Sequence, residues 1–267
     1  MREEPIAVHA AFDVVYEDEG ALVVNKAAPL LMHPVGAKQE PTLWHGVREL
    51  LAYELACGGQ VSLINRLDRE TSGLVLIAKN AQAAHELGCA MMQHALRKEY
   101  LAIVRGHPAW QSACCAEPIL RMADVAPTQV RVRQCCHPSG KPCRTEFSVV
   151  QRVPARGGLP PLSLVRCRPT TGRMHQIRVH LAYLGHPILG DKIYADETCY
   201  LRFVEQGWTP ELARELILPR HALHAAELYF PSSGRLAHAH ATLPPDMAAL
   251  LDPHSGQGVS GCALRAK

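Results

Sequence analysis

Apolar residues in this chain form short runs of the length of β-strands, separated by glycine, proline and polar residues. The most continuous run covers residues 73–78 and is typical of a central strand that is buried on both faces. It predicts a buried strand there. Shorter strand patterns, each closed by turn residues, predict further strands at residues 21–26, 98–105, 129–134, 144–153, 162–167, 223–230 and 235–242.

Helical spacing is confined to a few segments. In residues 81–96, Leu87 and Met91 recur at helical spacing, and Asn80 precedes them as a capping residue. Residues 174–184 also keep apolar positions on one face, and a glycine and a proline follow as stop signals. Further helical patterns cover residues 42–55 and the stretch from the turn at 190–191 to residue 218.

Strands and helices alternate irregularly along the chain, and no repeat is present. This order predicts an α+β fold with a mixed, largely antiparallel sheet and flanking helices. We expect a single domain over residues 1–250. Residues 251–267 are mostly small and polar, and we expect them to form a disordered tail.

The composition is that of an ordinary globular protein. The 267 residues are 48% hydrophobic and 20% charged, and no run approaches the roughly 18 apolar residues of a membrane span. The N-terminus carries two acidic residues where a signal peptide begins with a basic region, so we expect a cytoplasmic protein. The ten cysteines include no Cys-x-x-Cys pair, and we expect reduced thiols without structural zinc.

Charge is unevenly distributed along the chain. Residues 121–178 contain eleven lysines and arginines and two acidic residues, a local charge of +9, while the rest of the chain carries −6. Such a segment is often only a solvated face. An arginine-dominated imbalance of this size is also what a phosphate-backbone partner favours, so nucleic acid is a candidate partner.

Several common enzyme classes have no sequence support. The chain contains no Gly-x-Ser-x-Gly elbow, no P-loop and no His-Glu-x-x-His motif. His175 and His180 are five residues apart, which on a helix leaves their side chains about 140° apart. They cannot share one metal ion, so we expect no metal site.

Asp68 is the acidic residue best placed for chemistry. It lies between Arg66 and Arg69, just ahead of the buried strand, where a guanidinium would hold a carboxylate ionised at the edge of the core. If this segment is extended, Arg66 and Asp68 point to the same side. The alternative is a turn aspartate in a surface salt bridge.

The segment Ile64-Asn-Arg-Leu-Asp-Arg-Glu-Thr-Ser-Gly-Leu resembles the catalytic motif of the RluA-type pseudouridine synthases, usually His-Arg-Leu-Asp-x-x-Thr-Ser-Gly-Leu. The resemblance extends over residues 12–245, and Asn65 and Met174 depart from it, where the family usually has His and Thr or Ser. The other blocks agree in order: Val24-Asn-Lys with His33-Pro34, Lys98-x-Tyr100 with Val104-x-Gly106, Thr171-Gly-Arg-Met-His-Gln-Ile-Arg-Val-His-Leu-Ala182 with Gly185-His-Pro, Gly190-Asp191, and Leu223-His-Ala225.

The resemblance implies an isomerase with a central catalytic cleft, which converts uridine in RNA to pseudouridine. Asp68 is then the catalytic carboxylate, as nucleophile at C1′ or as base at C2′. Arg178 would keep Asp68 ionised. Tyr100 would stack on the detached uracil and accept the C5 proton; the alternative is a tyrosine that only packs in a core strand.

The remaining site residues also follow from the resemblance. Arg66 would replace the flipped uridine in the RNA stack, and Leu223 would form a wall of the pocket. The other expected substrate contacts are Asn65, Thr71, Gly73, Arg173, His175 and Gln176.

The resemblance further implies that no cofactor and no metal are needed, and that the partner is a structured RNA: ribosomal RNA, transfer RNA or both. We expect a monomer, no membrane association, and no accessory RNA-binding domain before the catalytic domain. The alternative function is a non-catalytic RNA-binding or RNA-folding protein, which Asn65 favours. A carboxylate glycosidase would need a second acid, and only one lies in these blocks.

Overall fold

The computed structural model describes residues 11–36 and 40–252, which fold around one large sheet. The strands are β1 (Phe12–Glu17), β2 (Ala21–Lys26), β3 (Ser62–Leu63), β4 (Ser72–Ala78), β5 (Arg97–Arg105), β6 (Ser112–Cys115), β7 (Ile119–Arg121), β8 (Gln134–Cys136), β9 (Thr145–Val153), β10 (Leu162–Pro169), β11 (Leu223–Ser232) and β12 (Arg235–His240).

Helices flank this sheet at several points along the chain. They are α1 (Leu43–Leu50), α2 (Ala52–Ala56), α3 (Ala81–Met92), α4 (Gln176–Tyr183), α5 (Glu197–Gln206), α6 (Pro210–Leu216) and α7 (Pro245–Leu251), with a short 3₁₀ turn at Met122–Asp124. Among the described residues, no helix has both the length and the apolar character needed to cross a membrane.

The main sheet has ten strands and runs β1-β2-β4-β11-β5-β10-β9-β6, with β12 beside β11 and β3 beside β4. Strands β4 and β11 are parallel, and the other pairs in this sheet are antiparallel. Strands β7 and β8 form a separate hairpin. The prediction of an α+β fold with a mixed, largely antiparallel sheet and flanking helices is confirmed.

Strand β4 is buried on both faces, as its continuous apolar sequence predicts. Val75 and Ile77 belong to one hydrophobic core, and Leu74 and Leu76 belong to a second core on the opposite face. Successive side chains of a strand point to opposite faces, so both cores need apolar residues at adjacent positions. The loop that precedes β4 is therefore held against a rigid central strand.

Strands β4 and β11 meet through two residue pairs, one of which joins Gly73 to Ala225. Gly73 has φ +111°, and a Cβ atom there would lie 2.3 Å from the carbonyl oxygen of Ala225. Only glycine fits this conformation at this distance. Gly73 thus sets how closely the two strands approach.

Two of the elements that differ from prediction have a clear local cause. The prediction of a strand at residues 129–134 is wrong. The hydroxyl of Thr128 accepts a hydrogen bond from the amide of Val130, and local turn bonds occupy this backbone until β8 begins at Gln134. The helix predicted to residue 96 ends at Met92 because the amide of Ala95 bonds back to the carbonyl of Ala90, a typical C-terminal closure.

The C-terminal end of the described chain is helical. Leu251 is the last residue of α7 and is buried, so the predicted tail does not begin at 251. The predicted tail from residue 253 onward lies outside the described residues.

Candidate active site

A cleft lies where the loop before β4, strand β5, the start of β11 and the N-terminal end of α4 meet. It is lined by ten of the eleven residues that the sequence predicts for the site. These are Asn65, Arg66, Asp68, Thr71, Tyr100, Arg173, His175, Gln176, Arg178 and Leu223. Gly73 does not line the cleft; its place is the contact between β4 and β11.

Asp68 faces this cleft and is paired with Arg178 from helix α4. Nη1 of Arg178 donates to Oδ2 of Asp68 at 2.8 Å. The carboxylate side chain is 32% exposed, whereas Arg178 is only 6% exposed. The aspartate is therefore open to a ligand on one side and held by a buried cation on the other.

Arg178 is fixed by a second carboxylate. Its Nε and Nη2 donate to the two oxygens of the fully buried Asp191, at 2.7 and 2.9 Å. Oδ1 of Asp191 also accepts from the amides of Ile193 and Tyr194. A bidentate pair of this kind fixes the guanidinium in one orientation and presents its remaining edge to Asp68.

This arrangement controls the charge of Asp68. Burial is the largest single effect and opposes ionisation of the carboxyl, but the charge and hydrogen bond of Arg178 together with the nearby histidines outweigh it, and the pKa of Asp68 falls below its usual value. His175 and His221 act in the same direction. Asp68 is therefore a carboxylate at neutral pH, as the sequence analysis expects.

The two oxygens of Asp68 have different surroundings. Oδ2 accepts from Arg178 and lies 3.8 Å from Nε2 of His175. Among the described residues, none donates a hydrogen bond to Oδ1. One carboxylate oxygen is thus anchored while the other remains available for chemistry.

Tyr100 and Leu223 form apolar walls of the cleft. Tyr100 is 8% exposed, lies on β5 and pairs with Cys167 on one side and Ala225 on the other. Burial and the nearby charge of Asp68 raise the pKa of Tyr100 well above its usual value, so the phenol is protonated. Leu223 begins β11 and is buried beside the cleft.

Three cations surround the opening. Arg66 is exposed and makes no ion pair with any described residue. Lys98 is half-buried, and its Nζ lies 3.9 Å from the sulfur of Met91. Arg173 is exposed and donates to the carbonyl of Pro142. These positive groups can bind anionic phosphates at the edge of the cleft.

Some predicted substrate contacts have protein partners instead. The amide of Asn65 bonds to the backbone of β4, donating to the carbonyl of Leu74 and accepting from the amide of Leu76. Thr71 is bonded through its hydroxyl to Nε2 of His221 at 2.7 Å. Both side chains brace the cleft wall, and their contact with substrate stays a prediction.

Gln176 is similarly occupied. Its Oε1 accepts from the hydroxyl of Thr171 and the amide of Arg173, and its Nε2 donates to the hydroxyl of Thr145 and the carbonyl of Arg144. The side chain is 4% exposed. It fixes the loop at the mouth of the cleft, and a direct substrate contact stays a prediction.

Three functional residues escaped the sequence analysis: Asp191, Tyr194 and Lys26. Asp191 stood in a recognised block without an assigned partner, and Tyr194 follows it by three residues. The hydroxyl oxygen of Tyr194 lies 2.8 Å from Nδ1 of His175. Spacing alone does not reveal these contacts, because the partners come from different elements.

Lys26 is completely buried at the end of β2. Its Nζ donates to the carbonyls of Ala27, Leu30 and Arg69 at 2.9, 3.1 and 3.3 Å. Burial lowers the pKa of Lys26 to about 7. The ammonium group of Lys26 thus links Arg69, the residue after Asp68, to the loop at residues 27–30. These bonds hold the backbone beside the Asp68 carboxylate in place.

The basic segment 121–178 is split between two faces of the sheet. Arg166 and Arg168 flank Cys167 on β10, and Cys167 pairs with Tyr100, so strand alternation places both arginines on the face away from Tyr100. There both pair with Glu99 at 3.4 and 3.0 Å. Other ion pairs of the segment are Arg121 with Asp124, Arg133 with Glu197 and Arg144 with Glu146.

The described part of the chain contains no group of three or more histidine, cysteine, aspartate or glutamate side chains that could hold a metal ion. His175 and His180 face different surroundings. His175 faces Tyr194 and Asp68, whereas His180 bonds to Thr145 and to the carbonyl of Glu117.

The sequence profile of the family described as RNA pseudouridylate synthase matches residues 20–183. Among curated proteins, ribosomal large subunit pseudouridine synthase D of Escherichia coli (strain K12) is 33% identical over 246 residues, which cover 90% of this chain and 69% of that protein. The protein of the same description from Nitrosomonas europaea is 34% identical over 254 residues, covering 91% and 66% of the two chains.

Two solved human structures have a similar fold. RNA pseudouridylate synthase domain containing 1 aligns with a TM-score of 0.70 and 26% identity, covering 94% of this chain and 91% of that one. RNA pseudouridylate synthase domain containing 4 aligns with a TM-score of 0.67 and 25% identity, covering 91% and 92%.

Proposed function

The chain belongs to the RNA pseudouridylate synthase family, and we propose that it isomerises uridine in ribosomal RNA with Asp68 as the catalytic carboxylate. The observation that carries this proposal is the Asp68–Arg178 pair, in which a cleft carboxylate is held ionised while its Oδ1 stays free of protein donors. The enzyme class is that of an isomerase, an RNA pseudouridine synthase.

The reaction conserves every atom of the nucleotide. The N1–C1′ bond breaks, the uracil rotates within the cleft, and a C5–C1′ bond forms while C5 loses a proton and N1 gains one. An ionised Asp68 can attack C1′ or remove a proton from C2′, and both routes begin at the same free oxygen. Since substrate and product have the same oxidation state, the chemistry itself calls for no redox cofactor, and we expect none and no metal.

Tyr100 supports the rotating base. Its ring stacks on the detached uracil, and its hydroxyl is placed to receive the C5 proton. Because the phenol is protonated, it can accept that proton only as its own proton passes, directly or through water, to N1 of the uracil, which gains one in the product. Leu223 closes the other wall and limits the movement of the base.

Recognition of RNA relies on the cations at the opening. The target uridine must leave its stack to reach Asp68, and Arg66 is exposed beside the cleft and free of ion pairs with the described residues. In this proposal its guanidinium fills the vacated position. Arg173 binds a flanking phosphate.

Ribosomal RNA is the proposed substrate because the curated relatives carry the name of ribosomal large subunit pseudouridine synthase. Transfer RNA is the second substrate to compare. We further propose a monomer with one catalytic domain that works in the cytoplasm. The alternative of a non-catalytic RNA-binding protein was favoured by Asn65, which stands where the family usually has His. Because the Asn65 amide bonds to the backbone of β4, a structural role accounts for this residue.

The test is release of tritium from RNA that carries [5-³H]uridine, because only base isomerisation exchanges C5. We expect release from a ribosomal RNA transcript by the native protein and none by Asp68→Asn, which is close to isosteric and removes only the charge. Asp124→Asn, in an exposed ion pair with Arg121, is the matched control and should keep full activity. Release by Asp68→Asn above background would disprove the role of Asp68. Release from transfer RNA alone would overturn the proposed substrate.

A further inference from the structure

His175 has an unusual backbone conformation directly beside the cleft. Its φ and ψ are 56° and 17°, in the left-handed region that a residue with a side chain rarely adopts. The side chain is 10% exposed and lines the cleft. Strain of this kind persists where the surrounding structure imposes it, and it is concentrated at functional sites.

The hydroxyl of Tyr194 lies between the amide of Gln134 and Nδ1 of His175. The phenol oxygen accepts from the amide of Gln134 at 3.0 Å and lies 2.8 Å from Nδ1 of His175. Burial raises the pKa of Tyr194, so the hydroxyl keeps its single proton. Among the described residues, Nδ1 is the one acceptor within hydrogen-bond distance of this hydroxyl, so the proton points to Nδ1 and the ring proton is left on Nε2.

Nε2 of His175 is directed at the catalytic carboxylate. It lies 3.8 Å from Oδ2 of Asp68, the same oxygen that accepts from Nη1 of Arg178 at 2.8 Å. A closure of roughly 1 Å would bring it to hydrogen-bond distance, and such contacts often tighten only when substrate is bound. Arg178 thus donates to Oδ2 and Nε2 of His175 lies 3.8 Å from the same oxygen, whereas none of the described residues donates to Oδ1.

We propose that Tyr194 is a positioning residue that holds His175 as the Nε2–H tautomer, so that His175 and Arg178 together anchor Oδ2 and leave Oδ1 to act on the ribose. The proposal rests on the proposed role of Asp68. It assigns different tasks to the two oxygens and gives Tyr194 an effect on the reaction without contact with the RNA.

Burial, with a smaller effect of Arg178, keeps the ring of His175 neutral. The groups that face it are Arg178, Asp68, Asp191 and the phenol of Tyr194. Burial is the largest influence, Arg178 adds to it and the two aspartates oppose it, and together they lower the pKa of His175 to about 4. A neutral ring has one N–H, so its direction depends on the tautomer.

The first test measures the tautomer directly, without RNA. In a ¹⁵N spectrum of the full chain at pH 7, we expect His175 to show an unprotonated Nδ1 and a protonated Nε2, with its signals assigned by their loss in His175→Gln. Tyr194→Phe should shift both nitrogens toward the average of two exchanging tautomers. Tyr183→Phe, at an exposed position of α4, should leave them unchanged. A protonated Nδ1 in the native protein would overturn the proposal, whatever the variants do.

The second test measures the rate of the chemical step in a single turnover on ribosomal RNA. Tyr194→Phe should lower this rate on the order of tenfold, with RNA affinity changed less than about twofold, because the tautomer and not the binding surface is affected. His175→Leu should lose more, and His175→Gln should recover part of the loss because its amide can donate in place of Nε2–H.

The outcomes separate this proposal from the proposed function. No tritium release by the native protein would contradict the function and leave the spectrum unaffected. Full activity of Tyr194→Phe in an active native background would contradict only the positioning role. If Tyr194→Phe does not fold, equal rates for His175→Leu, His175→Gln and the native protein would contradict it.

Discussion

Arg178 donates to both oxygens of Asp191, at 2.7 and 2.9 Å, deep in the core behind the cleft. The pair lies 13 residues apart on α4 and the turn that follows it. Because Asp191 holds one edge of the guanidinium, the other edge can only point toward Asp68. The charge that keeps the Asp68 carboxylate ionised is therefore positioned by a fully buried residue that does not line the cleft.

The pairing of Arg178 with Asp68 predicts at which pH activity is lost on acidification. The pKa of Asp68 is depressed, so activity should persist as pH falls until that carboxylate is protonated. In Arg178→Met the largest influence that opposes burial is lost, and the pKa of Asp68 should rise. We expect the acid limb of kcat/KM to move to higher pH by about 1–3 units.

The control for this shift is Arg144→Met, an exposed arginine paired with Glu146. Its acid limb should coincide with that of the native enzyme. An unmoved limb in Arg178→Met would show that Arg178 does not govern the charge of Asp68.

Tyr100→Phe separates stacking from proton transfer. The ring remains, so RNA affinity should change by less than about twofold, while completed product should fall strongly because the acceptor for the C5 proton is lost. Pseudouridine formation and RNA binding are measured side by side. Tyr53→Phe, at a 79% exposed position of α2, should match the native protein in both. Native rates of product formation in Tyr100→Phe would reduce Tyr100 to a packing role.

Arg66→Ala tests whether the Arg66 side chain takes the place of the flipped uridine in the RNA stack. If Arg66 replaces the flipped uridine, its loss leaves the unstacking cost of a few kcal/mol without compensation. Turnover should fall strongly on structured RNA and less on a short RNA whose uridine is already unstacked. Equal losses on both substrates would contradict the intercalating role and favour support of Asp68 through charge.

The matched control is Arg131→Ala, at an exposed position in the basic segment. As a phosphate contact it should weaken binding of both RNAs alike and flatten the salt dependence, which two salt concentrations suffice to measure.

Asn65→Ala should destabilise the fold. The substitution leaves the carbonyl of Leu74 and the amide of Leu76 without their side-chain partner in a buried setting. Each unsatisfied group costs about 1–3 kcal/mol, so we expect the free energy of unfolding in urea to fall by about 2–6 kcal/mol. Gln82→Ala, at an exposed position of α3, should change it by less than about 0.5 kcal/mol. A similarly small change in Asn65→Ala would show that the amide does not brace β4.

The local pattern predicts where two of the site residues lie, whereas the other site residues were predicted from the resemblance to a known family. The uniform apolar run of β4 identifies a strand with two buried faces, and this places Asp68 at its entrance. Helical spacing places Arg178 on α4. Their contact spans 110 residues, and only the resemblance to a known family brought them together before the structure did.

The contacts that were missed depend on tertiary packing. Tyr194 lies in a turn without periodicity, and its hydroxyl serves His175 and the Gln134 amide from different elements. The error at residues 129–134 has a related cause, since Thr128 offers its hydroxyl to the backbone and favours a turn over a strand. Asn65 was expected to meet substrate because its motif does, yet its amide bonds to the next strand.

Strand β11 lies between β4 and β5 although it comes from residues 223–232, near the end of the chain. Asp68 precedes β4 and Tyr100 lies on β5, so the two become neighbours across the cleft only after β11 is inserted. A nascent chain that emerges from the ribosome in order has made both residues long before it has made the strand between them. Vectorial synthesis therefore delays assembly of the cleft until residues 223–232 have been made.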